Sequence, residues 1–156
     1  MEEKFGIKGK IEYTLYTEDG LVKDQGLIAN TITTLMDAHV ADQMSDSGDA
    51  AIGFIALGSG TGQTSASTDV ANYVAASLIA LSGTGATQGA AGADNDVVYS
   101  GFWEAGVGTD TITEAGLFLG SATSRSDMMT YNDGLTVTKG ASDTLKIDWT
   151  VTFGAS

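Results

Sequence analysis

The chain has 156 residues, 42% of them hydrophobic, with no cysteine, no proline and a formal net charge of −13. That length suits one domain with its own core, and the missing cysteines exclude disulfides, thiolate zinc sites and a cysteine nucleophile. Seven bases against twenty acids argue against nucleic acid as a partner, because a polyanion is repelled over most of such a surface.

Met1-Glu2-Glu3-Lys4-Phe5 lacks the basic and then apolar pattern of a secretory signal, and no apolar run reaches the roughly eighteen residues of a membrane helix. Synthesis in a cytoplasm is therefore expected. From Phe5 the chain alternates: Ile7, Ile11, Tyr13 and Leu15 fall on one face, Lys8, Lys10, Glu12 and Thr14 on the other. Glu18-Asp19-Gly20 signals a hairpin turn, and the return strand runs from Leu21 to about Ile28. A helix follows, with Asn30 as its expected N-cap and Ile32, Leu35, Met36, Val40, Gln43 and Met44 at spacings of three and four. Residues 51–57 read as a buried strand entering the loop Gly58-Ser59-Gly60-Thr61-Gly62.

The apolar stretch 70–81 fits strand or short helix alike, and the Gly/Ala-rich stretch 82–94 is expected as a flexible loop. Strands are expected at 97–103 and 111–119, then a hairpin of 128–131 with 135–139 about Asn132-Asp133-Gly134. Finally Leu145, Ile147, Trp149, Val151 and Phe153 alternate without a break with Lys146, Asp148, Thr150 and Thr152. That pattern marks a half-buried strand paired within a sheet. Eight or nine short strands, one helix in the N-terminal half and no long repeat indicate a mainly β fold. The expected architecture is an antiparallel β-sandwich, jelly-roll-like, forming a single domain over 1–156, with the hairpin 4–28 as a docking arm.

Catalytic chemistry is thin. The loop Gly58–Gly62 has neither the spacing nor the lysine of a phosphate-binding loop. His39, the sole histidine, falls near the edge of the helix's apolar stripe and lacks a nucleophile motif. Glu104 and Glu114 could approach the spacing of a glycosidase pair, but with little stacking machinery around them. Asp42, Asp46 and Asp49, or Asp94, Asn95 and Asp96, could offer oxygens to a cation, yet neither set matches a calcium loop. No catalytic residue, metal or cofactor is expected. Glu114 reads instead as paired with a lysine or with loop N–H groups. Leu117 and Phe118 read as covering opposite faces of one strand, with Gly116 permitting close backbone approach.

Taken together, Val98-Tyr99-Ser100-Gly101-Phe102-Trp103, Glu114-Ala115-Gly116-Leu117-Phe118, Met128-Met129 and residues 145–153 form an ordered series. With Leu57-Gly58-Ser59-Gly60-Thr61, Thr64-Ser65 and Thr68-Asp69 upstream, the series resembles small structural virion proteins of tailed phages. The resemblance implies a non-enzymatic protein on the capsid surface, a decoration or cement protein that bridges major capsid subunits. It also implies self-association, with a homotrimer as the expected state. An alternative within the same group is a tail-fibre or baseplate domain that touches a host glycan through exposed aromatics, for which Tyr99 and Trp103 are the candidates. The expected partner contacts are the cluster Lys4, Lys8 and Lys10, the one local reversal of sign, together with Lys146 and Asp148 on the final strand and the loop 82–94.

Overall fold

The computed structural model describes residues 6–45, 50–82, 86–89, 95–120 and 125–154. Its frame is two five-stranded antiparallel sheets packed as a sandwich. In the first sheet, β1 (Ile7–Tyr16) and β2 (Val22–Ala29) form the N-terminal hairpin, and β12 (Thr144–Phe153) lies on the other side of β1. Next to β12 come β7 (Asp96–Trp103) and the short β6 (Ala86–Gln88). The second sheet runs β3 (Thr31–Ile32), β10 (Met128–Asn132), β9 (Glu114–Leu119), β4 (Ile52–Gly58), β5 (Ile79–Ala80). A two-stranded ribbon of β8 (Asp110–Ile112) and β11 (Val137–Lys139) adds Ile112 and Val137 to the core.

The final strand behaves as its alternation requires. Leu145, Ile147, Trp149 and Val151 are buried between the sheets, and β12 pairs with all ten residues of β1 and with eight of β7. Each such side chain removed from water contributes about 1.5–3 kcal/mol before entropy is counted. The N-terminal hairpin is likewise part of this sheet: β1 is an interior strand, with Ile11, Tyr13 and Leu15 in the core. The hairpin therefore does not stand off as an arm, and of its two strands only β2 lies at an edge of the sheet.

Four expectations change. Asn30 does not cap the helix, because residues 31–32 pair with β10 first and α1 spans Thr34–Ser45. Thr33 anchors that junction, its hydroxyl donating to the Met128 and Met129 carbonyls at 2.7 and 2.9 Å. Met36 and His39 are the buried residues of α1, while Met44 is 84% exposed rather than on the packed stripe. The stretch expected as a loop at 82–94 contains β6, which pairs with β7; residues 83–85 and 90–94 lie outside the described residues. Residues 128–139 are no hairpin, since β10 pairs with β9 and β3 while β11 crosses to β8.

The two sheets differ on their outer sides. β9 is buried on both faces, as its sequence implied: Leu117 joins the inter-sheet core, and Phe118 joins a second cluster with Ala56, Val70, Met128 and Tyr131. Residues 59–78 supply the cover. They leave β4, cross the outer face of the second sheet and return along the edge of β4, where Val74 N–H donates to the Leu57 carbonyl at 3.0 Å.

Glu114, fully buried, fastens this segment. Its Oε1 accepts from the N–H groups of Gly60 and Asn72 at 3.0 and 2.8 Å. Oε2 accepts from Ala71 N–H and Gln63 Nε2 at 3.0 and 2.7 Å. A buried carboxylate is tolerable because these four donors replace its water. Arg125 clasps the same segment, stacking 3.6 Å from the Tyr73 ring centroid and pairing with Asp69 at 3.2 Å. Gly116 permits the close packing here, since a Cβ would lie 2.6 Å from the Met128 sulfur and would force that side chain to shift.

Candidate interaction face

The outer face of the first sheet has no such cover among the described residues. Strict alternation puts the even-numbered residues of β1, β12 and β7 on it, and the ladder sets them in rows. One row holds Lys8, Thr152 and Asp96, and the next holds Lys10, Thr150 and Val98. A third holds Leu27, Glu12, Asp148 and Ser100, and a fourth Gln25, Thr14, Lys146 and Phe102. Of the expected contact residues, Lys8, Lys10, Lys146 and Asp148 thus meet on one face; Lys4 lies outside the described residues.

The face is polar and pre-ordered in its middle. Lys146 Nζ pairs with Asp148 Oδ2 at 2.9 Å, and the Ser100 hydroxyl donates to the other carboxylate oxygen at 2.6 Å. The hydrogen bond and charge of Asp148 hold the Lys146 ammonium above its usual value. Thr152 donates to Asp96 at 2.5 Å. Lys8 and Lys10 are exposed, and among the described residues neither enters an ion pair. A shallow trough of about 540 Å³ runs over Glu12, Thr14, Tyr16, Gln25, Lys146 and Asp148. Sequence reasoning missed the apolar part of this face, Leu27 at 61% and Phe102 at 42% exposure. The alternation Val98, Ser100, Phe102 was the available signal.

Charge balances on this face. Lys8, Lys10 and Lys146 stand against Glu12, Asp96 and Asp148, in a chain that carries −13 overall. Such a face can approach another protein without the repulsion that the rest of the surface imposes on an acidic partner.

The other weighed residues are placed elsewhere. Glu104 is exposed beyond the end of β7, and Glu114 is buried on the second sheet by its own loop, so the two do not face each other across a cleft. The glycine loop's Gly60 N–H, a donor an anionic ligand would need, is taken by Glu114. His39 is buried and lines an apolar pocket of about 340 Å³ with Met36, Val40, Ile52, Tyr99 and Phe153. Trp103 is fully buried, its Nε1 donating to the Ser77 carbonyl at 2.8 Å, and Tyr99 is 7% exposed with burial pushing its phenol up to about 12. The aromatics proposed for glycan contact are therefore core residues. Of the loop oxygens weighed for a cation, Asp46, Asp49 and Asp94 lie outside the described residues. Family models, curated proteins and solved structures give no match to this chain.

Proposed function

We propose that this protein is a structural component of a tailed-phage virion, a capsid decoration protein whose first sheet lies against the major capsid protein. The observation that carries the reading is the uncovered, charge-balanced outer face of that sheet, which gathers Lys8, Lys10, Lys146 and Asp148. The chain covers its other sheet with residues 59–78, and the first sheet's outer face, uncovered among the described residues, is open to a partner. Bridging would work through buried area between neighbouring capsid subunits. The acidic remainder keeps a protein of high copy number soluble, and copies associate with one another on the lattice.

Reversing Lys8 and Lys10 to glutamate should lower occupancy of purified capsids about tenfold at low salt, a loss of roughly 1.4 kcal/mol. The loss should shrink as salt screens the contact. Unchanged occupancy would remove these lysines from the interface. Electron cryomicroscopy of whole particles tests the placement. Many copies spread over the head agree with decoration, whereas a few confined to the tail would select the tail-fibre or baseplate reading instead.

A further inference from the structure

Where α1 meets both sheets, the chain leaves a pocket of about 340 Å³. Met36 and Val40 of α1 form one wall, Ile52 of β4 a second, and Tyr99 of β7 with Phe153 of β12 a third. The space follows from the sequence beside Tyr99. Its neighbour across the ladder on β6 is Ala86, whose methyl cannot fill what a larger side chain would close. Volumes of about 300–1,000 Å³, walled by apolar side chains with a few polar groups among them, are the usual form of a small-molecule site.

Three polar side chains line the pocket among the described residues, and they are not equivalent. His39 and Gln43 have interactions of their own. Tyr99 is 7% exposed, and its hydroxyl enters no hydrogen bond among the described residues. Burial pushes this phenol up to about 12, so at neutral pH it is a hydrogen-bond donor. A buried tyrosine hydroxyl ordinarily finds an acceptor, because leaving that bond unmade is costly. Water serves poorly in this place. It needs two to four polar partners to be held, and Met36, Val40, Ile52 and Phe153 offer none with their side chains.

We propose that this pocket binds a small uncharged molecule whose apolar body fills the space between the sheets and whose single acceptor oxygen takes the hydrogen bond of Tyr99. Size sets one limit. An apolar cavity of about 150 Å³ is enough to bind benzene, so this one holds a ring with substituents. Charge sets the other. Among the described residues no lysine, arginine, aspartate or glutamate lines the pocket, so an ion of either sign would leave water unmatched. The site lies between the sheets, apart from the outer face that carries Lys8 and Lys146, and does not rest on the capsid reading.

Acetophenone, one ring bearing one carbonyl, is the probe. An amide NMR titration at neutral pH should show saturable shifts in α1 and at Ile52, Tyr99 and Phe153, with a Kd of about 1 mM or tighter. Tyr99→Phe keeps the ring and removes a hydroxyl that bonds to no described residue, so it should melt as wild type does. It should weaken acetophenone about fivefold, the worth of one net hydrogen bond, and leave toluene unchanged. Ala86→Trp, on the short exposed strand, should abolish binding of both. Benzoate, a similar ring with a charge, should bind at least about tenfold more weakly than acetophenone. The proposal is overturned by a titration without saturable shifts at these residues, or by benzoate binding as tightly as acetophenone. Wild-type affinity in Ala86→Trp would overturn it too, as would a Tyr99→Phe that spares acetophenone or weakens it no more than toluene.

Discussion

The outer faces of the two sheets are built from opposite materials. The second sheet presents Ala56, Phe118 and Met128 outward and buries them under residues 59–78. The first presents Lys10, Glu12, Lys146 and Asp148 and has no cover among the described residues. An apolar sheet face must be covered from within the chain or by a permanent partner, whereas a polar one can wait for a reversible partner. The cover also has to be fixed in position, and Glu114 and Arg125 do that with directional bonds where apolar contact alone would let a loop slide.

The sharpest way to break this contrast is to remove the fastener. Glu114→Ala leaves four donors without their acceptor and should cost about 3–5 kcal/mol in urea unfolding. The amides of Gly60, Ala71 and Asn72 should lose hydrogen-exchange protection before the rest of the second sheet. A cost below about 1 kcal/mol would mean that the cover is held by its apolar contacts alone.

An intermediate effect is expected at the first sheet's own clasp, Lys23–Asp143. The hydrogen bond from Lys23, then the Gly140 N–H, hold the Asp143 carboxyl below its usual 3.8. A carboxylate with a lowered folded value stabilises fully above 3.8, and the contribution is lost as pH falls through the lowered value. Asp143→Asn should thus melt lower than wild type at neutral pH, and the gap should close in acid below 3.8. A gap that stays constant with pH would assign the loss to packing instead.

The smallest change in stability belongs to the bare face. Phe102→Ser and Lys146→Ser should each shift stability by no more than about 0.5 kcal/mol, and on the proposed reading each should weaken capsid occupancy. A large loss of stability from either would show that the face is covered after all.

Where side-chain period and local backbone demand agree, the fold was legible. The alternation at 145–153, the Asp19-Gly20 hairpin and the two-faced β9 all appear where the residues put them. Asn132-Asp133-Gly134 shows the limit of local signals. The Gly134 N–H donates to the Asn132 side chain at 2.8 Å, a tight turn, yet the chain leaves it for another sheet. A turn residue specifies the bend and not the strand met afterwards. Asn30 failed as a cap for a related reason: its amide donates to Thr130, a residue far along the chain. The contact face was half legible, because like-facing residues can be read along one strand but neighbouring strands cannot be ordered. Lys8 and Lys146 share a surface only because β1 lies beside β12.

That same adjacency governs when the protein can fold. β12 is the last of the described strands to be synthesised, yet it lies between β1 and β7. Until residues 144–153 have cleared the ribosome, β1 and β7 have no common partner and the apolar sides of both are open to water. The first sheet therefore closes in one late step, with long loops to organise at once, which makes for slow folding and a vulnerable nascent chain. A ribosome stalled before Thr144 would hold the N-terminal hairpin without the strand that joins it to β7, a species for chaperones to guard.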